Sequence, residues 1–254
     1  MSSSELRKQA REALRGKWGK AVLLTLSYLG ITIGINFVLM IIPLVGLIAS
    51  FVISPVITHG FFVSMMKLRR GETVKNTGFL TDGFANFKRV WCVLGYTIKK
   101  MLLPIILIVV FAFLTIGSSV GNAILRYSDP TASVAGLAGM SAILMIGYIA
   151  SIIYMGIKSL LYTLTSYILY DNPNMTNKEI VEESEKLMKG NRLKAVWLII
   201  TFIGWILLSA FTMYIGLLWV APYVNVAMVC FYEVLANKKT EVIELEKDPI
   251  QEKY

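Results

Sequence analysis

The residues of this chain that could do chemistry are few and lie in apolar surroundings. His59 is the one histidine among 254 residues, so neither a paired-histidine metal site nor a histidine triad can form. Lys158, Tyr162 and Ser166 sit in the apolar stretch from Ala135 to Tyr170, and Tyr223, Asn225 and Glu233 sit in the last one. Ionisable and polar groups at membrane depth are functional candidates by default, because taking them out of water is costly. These seven residues are the candidate intramembrane cluster, and all of them fall on the second, fourth and sixth apolar segments. Two chemistries need that distribution. One is a polar vestibule open to the cytoplasm, in which a small solute or lipid binds. The other is interhelical hydrogen bonding, at about 0.6 kcal/mol per contact. His59 alone reads as a satisfied helix–helix contact or as a proton sensor.

Lys158 has two placements. If the fourth segment crosses over residues 138–160, its ammonium snorkels to the interface. If it crosses over residues 148–169, the lysine lies near the midplane and needs a partner such as Glu233, with Gly147 and Gly156 permitting a break or close packing. Cys92 and Cys230 are isolated, with no CxxC, and read as small packing residues. The chain has no nucleophile elbow, P-loop, HExxH or pair of carboxylates within one segment. The expectation is a non-enzymatic protein without cofactor or metal.

The elements that must position these groups follow from hydrophobicity. From Ala21 to Met66 there is no Asp, Glu, Lys or Arg. A hydrocarbon core of about 30 Å takes roughly 20 apolar residues per helical crossing, so the run is two crossings with a turn near Pro43. The apolar fraction is 56%, charged residues are 16%, and mean hydropathy is +0.65, well outside the range of water-soluble domains. The first run is too long for a signal peptide. Six crossings fit, at about 21–42, 45–66, 101–121, 138–160, 195–214 and 216–236, in one membrane domain over residues 1–237. A charged tail of residues 238–254 follows.

Of the 25 Lys and Arg, all but Arg126 and Lys158 fall before the first crossing, between the second and third, between the fourth and fifth, or in the tail. The positive-inside rule then puts both termini in the cytoplasm. The net charge of +9 is accounted for by orientation and anionic headgroups, without nucleic acid.

Each pair of crossings has a short amphipathic segment before it, over about residues 3–15, 82–98 and 177–189. Ser2 with Glu5, and Thr176 with Glu179, have capping-box spacing, and each helix ends at a glycine, Gly16 or Gly190. Residues 14–24 align with 188–198, with Gly16/Gly190, Lys20/Lys194, Ala21/Ala195, Val22/Val196 and Leu24/Leu198 identical. This suggests three parallel units, each an interfacial helix and a helical hairpin. The interfacial helices could lie apolar face down in the headgroups, with Trp18 and Trp91 as anchors. The helix bearing Glu182, Glu183 and Glu185 could instead dock a protein or pack on the chain's own cytoplasmic face.

Several ordered segments carry a family resemblance. They are Ser4-Glu-Leu-Arg7, Gly16-Lys-Trp-Gly-Lys20, Ile157-Lys158, Ser166 through Met175 with Asp171-Asn-Pro173 inside it, Gly216 through Tyr223, and Phe231-Tyr-Glu-Val-Leu235. In these the chain resembles the bacterial membrane family catalogued as domain of unknown function 975, and more distantly the membrane domain of some glycerophosphodiester phosphodiesterases. The resemblance implies a multi-span protein of a bacterial plasma membrane, and it marks Lys158 and the Tyr170–Pro173 helix stop as deliberate features. The chain departs from the family pattern between Ser118 and Ala135, where a longer extracytoplasmic loop is expected. The expected role is a scaffold or partner subunit presenting a cytoplasmic surface to a protein partner. A carrier for a small solute or lipid is the alternative.

Overall fold

The computed structural model describes residues 2–41, 43–128 and 135–247. The described residues form helices α1 (Ser3–Leu14), α2 (Trp18–Met40), α3 (Pro43–Arg70), α4 (Gly78–Ala85) and α5 (Phe87–Ser128), then α6 (Ala135–Ser159), α7 (Thr165–Asp171), α8 (Asn177–Met188), α9 (Arg192–Phe211) and α10 (Leu217–Lys247). Among the described residues six stretches are long and apolar enough to cross a membrane: Trp18–Met40, Val45–Arg70, Phe87–Ser128, Gly139–Asp171, Arg192–Phe211 and Leu217–Lys238. Large apolar side chains stand open along them, Phe37 at 72%, Leu47 at 72%, Phe113 at 78% and Ile143 at 71% exposure. Water does not tolerate so much contiguous apolar surface, whereas lipid does. The chain is a multi-pass membrane protein.

By backbone contacts the chain divides into two compact units, Met1–Leu94 with Thr163–Tyr254, and Gly95–Tyr162. In the first unit, α1 and α8 start from complete capping boxes. The Glu5 carboxylate accepts from the Ser2 backbone N–H at 2.7 Å and that of Glu179 from Thr176 at 2.8 Å, while Ser2 and Thr176 hydroxyls accept the return bonds. Both helices bury one stripe at i, i+4, i+8: Leu6, Ala10 and Leu14 in α1, against α10, and Ile180, Ser184 and Met188 in α8. Both end in a turn through a glycine with positive φ, Gly16 at +75° and Gly190 at +86°, where a side chain would be strained. Beyond those turns Ala21 and Leu24 are buried like Ala195 and Leu198. The first and last aligned units thus share local structure as well as sequence. Their apolar stripes are spent on the protein's own helices, not on the headgroup layer. Trp18 packs edge-on against Tyr223, and Trp91 donates to the Val52 carbonyl of α3 at 3.1 Å.

The middle segment departs from the expectation. Residues 82–98 are not one helix: α4 ends at Ala85, and α5 restarts at Phe87 and continues without interruption through the third crossing. The physical reason is a backbone-close crossing of α4 on α3. A Cβ on Gly60 would strike the Phe79 carbonyl, and one on Gly83 the Val56 carbonyl. Residues 118–128, expected in a loop, are helical, and residues 129–134 lie outside the described residues. Helix α10 runs on into the charged tail as far as Lys247, with residues 248–254 outside the described ones.

In the second unit the hydroxyls of Ser118 and Ser141 lie 2.6 Å apart, and Asn122 donates to Ser141 at 2.8 Å. Gly147 fits beneath the Phe111 ring, where a Cβ would collide, so this glycine serves close packing and α6 runs straight through it. The helix breaks later, at the 3-10 turn Leu160–Tyr162.

Candidate functional site

The last turn of α3 carries Lys67, Arg69 and Arg70, cations placed where the helix dipole favours them. Facing them in the same unit are the C-terminus of α7, stopped at Asp171 by the Asn172-Pro173 pair, and the stretch Cys230–Glu233 of α10. Arg70 grips Asp171 through two parallel bonds, Nη1 to Oδ1 at 2.7 Å and Nη2 to Oδ2 at 2.8 Å, the fork geometry that guanidinium alone supplies. Its Nε donates to Glu233 at 3.3 Å, and Arg69 reaches the other Glu233 oxygen at 3.3 Å and the Cys230 sulfur at 3.2 Å. Tyr232 donates its hydroxyl to Asp171 Oδ2 at 3.0 Å and stacks on Tyr167, with ring centroids 5.6 Å apart. Lys67 pairs with Asp82 of α4 at 2.8 Å and lies 5.5 Å over the Tyr170 ring.

The hub also fixes the loop that leaves α7. Arg89, near the start of α5, donates to the carbonyls of Asn172 at 3.4 Å and Met175 at 2.9 Å. The Thr176–Glu179 capping box holds the far end. Pro173 and Asn174 remain exposed, over an open hollow of about 300 Å³ lined by Asp171, Asn172, Pro173, Asn174, Met175 and Glu179. Asp171 and Glu233 are both engaged by arginine, so the arrangement is built to hold a shape. Among the described residues no group of three or more His, Cys, Asp or Glu is placed to hold a metal ion.

The family model for proteins of unknown function DUF975 matches residues 1–239, a stretch that takes in every member of this hub. The chain belongs to that family. No curated protein and no solved structure matches it.

In this DUF975 protein the seven anticipated site residues are divided between the units, with Lys158 and Tyr162 in the second and His59, Ser166, Tyr223, Asn225 and Glu233 in the first. His59, expected as a satisfied helix contact, is 2% exposed, and neither ring nitrogen has a hydrogen-bond partner. Lys158, in the second unit, is half-buried with its ammonium 5.9 Å over the Tyr154 ring. Glu233, its suggested partner, is taken by Arg69 and Arg70. Tyr162 is buried on the 3-10 turn, and Ser166 is half-buried in the first turn of α7. Tyr223 donates to the Arg7 carbonyl at 3.2 Å and packs edge-on against Phe202, and Asn225 donates to the Ala221 carbonyl of its own helix at 2.8 Å. Only Glu233 belongs to the hub. Sequence reasoning passed over Arg69, Arg70, Asp82, Arg89, Asp171 and Tyr232 as site residues. The signals available for them were the Tyr170–Pro173 helix stop and the Phe231–Leu235 segment, both carried by the resemblance.

Proposed function

We propose that this DUF975 protein is a non-enzymatic scaffold or partner subunit of a bacterial plasma membrane, presenting a fixed surface to the cytoplasm. The observation that carries this reading is the fastening of the Asp171–Thr176 loop by Arg70, Arg89 and a capping box, which leaves Pro173 and Asn174 outermost. Pinning an exposed loop from three directions lowers the entropy a partner must remove on binding. The positive-inside distribution supports placing the hub and both termini in the cytoplasm. The exposed Lys8, Arg11, Arg15 and Lys20 then meet anionic headgroups. That Asp171 and Glu233 are held by arginine and Asp82 by Lys67 supports a structural role over catalysis.

Affinity capture in mild detergent tests the reading. A reproducible protein partner is expected with the wild type and lost with Asp171→Ala at equal membrane abundance. Capture of no reproducible partner contradicts it. A carrier for a small solute or lipid is the second reading, favoured by orphan polar atoms within a crossing, the His59 ring nitrogens and the Ser64 hydroxyl. It expects Lys158→Ala or Glu233→Gln to alter uptake or export while membrane abundance stays unchanged.

A further inference from the structure

Helices α2 and α3 face each other through a polar ladder with matched spacing. On α2 the rungs are Tyr28, Thr32 and Asn36, and on α3 they are Thr58, Ser54 and Ser50, each set at i, i+4, i+8 so that its members share one helix face. The outer rungs are closed by direct contact. The hydroxyls of Tyr28 and Thr58 lie 3.3 Å apart, and Ser50 donates to the Asn36 side-chain oxygen at 3.1 Å. The middle rung is open. Thr32 Oγ1 is buried with no hydrogen-bond partner, and a cleft of about 20 Å³ lies between the helices there, lined by Thr32 and Ser54 among others.

We infer that one ordered water occupies the middle rung and bridges the Thr32 and Ser54 hydroxyls. Three independent requirements are met. A site needs roughly 10–15 Å³ to admit a single water and two to four polar partners to keep it, and this cleft has the room. Each hydroxyl can both donate and accept, so a water satisfies either without a fixed polarity. The rest of the lining is Tyr28, Asn36 and Ser50 of the flanking rungs with Ile35, Ile53 and Ile57, and the hydrocarbon around the two helices keeps bulk solvent from the site. At this depth in the hydrocarbon no bulk water competes for the orphan hydroxyl, so leaving it unbonded is costly.

The full chain in lipid nanodiscs, equilibrated in heavy-oxygen water, diluted rapidly into ordinary water and pulsed with X-rays, reports waters that exchange slowly. Heavy-oxygen label retained at Tyr28 and Ile53 is the expected result. Thr32→Val and Ser54→Ala should each reduce it severalfold, while Thr32→Ser keeps it. Label that never exceeds bulk exchange, or that survives both substitutions, overturns the inference. So does label that appears only in sodium or only in potassium buffer, which assigns the site to a cation. Thr32→Ser reports independently of any folding defect in the valine variant.

Discussion

Arg70 presents two parallel donors to Asp171, and no other side chain reproduces that fork. The pair is about a quarter to a third exposed, so solvent screens it in part. Losing one partner should cost about 2 kcal/mol, the range of a charged hydrogen bond left open. Asp171→Ala and Arg70→Lys are therefore expected to lower stability in a denaturant titration by similar amounts, and Asp171→Ala to cost little more once Arg70 is alanine. Full additivity of the two alanine substitutions would mean that the fork carries no coupling. His59 makes the opposite case. Its ring nitrogens have no partner, so replacing the ring by an apolar side chain of similar size removes a penalty. His59→Leu should leave stability unchanged or raised, and a marked loss in the same titration would reveal an unseen partner. Both residues were visible in sequence, but their circumstances were not. Asp171 lies 101 residues from Arg70 and Glu233 lies 163 from it, and pairing over such separations leaves no local periodicity to read.

Helices α1 and α8 were legible because capping is a short-range affair, set by residues three apart. Their acidic members also give a pH dependence. The backbone N–H of Ser2 holds Glu5 below its ordinary value of 4.5, and Thr176 does the same for Glu179. A carboxylate lowered by folding stabilises the folded form fully above that ordinary value, and the contribution is lost as pH falls through the lowered one. Amide-exchange protection relative to the unstructured chain should therefore fall in the first turns of α1 and α8 on acidification below pH 4.5. Glu5→Gln and Glu179→Gln, which can still accept the bond, should flatten that response, and an unchanged acid loss of protection in both would locate its cause elsewhere. The break between α4 and α5 was not legible in the same way. It depends on Gly60 and Gly83 letting two backbones touch, a tertiary contact that overrides the amphipathic pattern of residues 82–98. The turn between α9 and α10 was legible, since the crossings expected at 195–214 and 216–236 meet where α9 ends at Phe211 and α10 starts at Leu217. Its conformation was not, because Met213 and Tyr214 take positive φ at +49° and +66° without being glycine.

For the whole molecule, six crossings could be read because hydrocarbon thickness fixes the length of each apolar run, and that constraint acts on sequence directly. The same constraint says nothing about which polar groups meet, so the arginines of the hub were read only for orientation and Asp171 only as part of a helix stop. The account rests on that hub serving as the fastening of an outward-facing loop. A photo-crosslinking residue placed at Asn174 in cells tests this most directly. The account predicts a discrete protein adduct from that position, absent from a control probe at the lipid-facing Phe113, and abolished by Asp171→Ala at constant membrane abundance. An Asn174 probe that captures only lipid, or an adduct indifferent to Asp171→Ala, would contradict it.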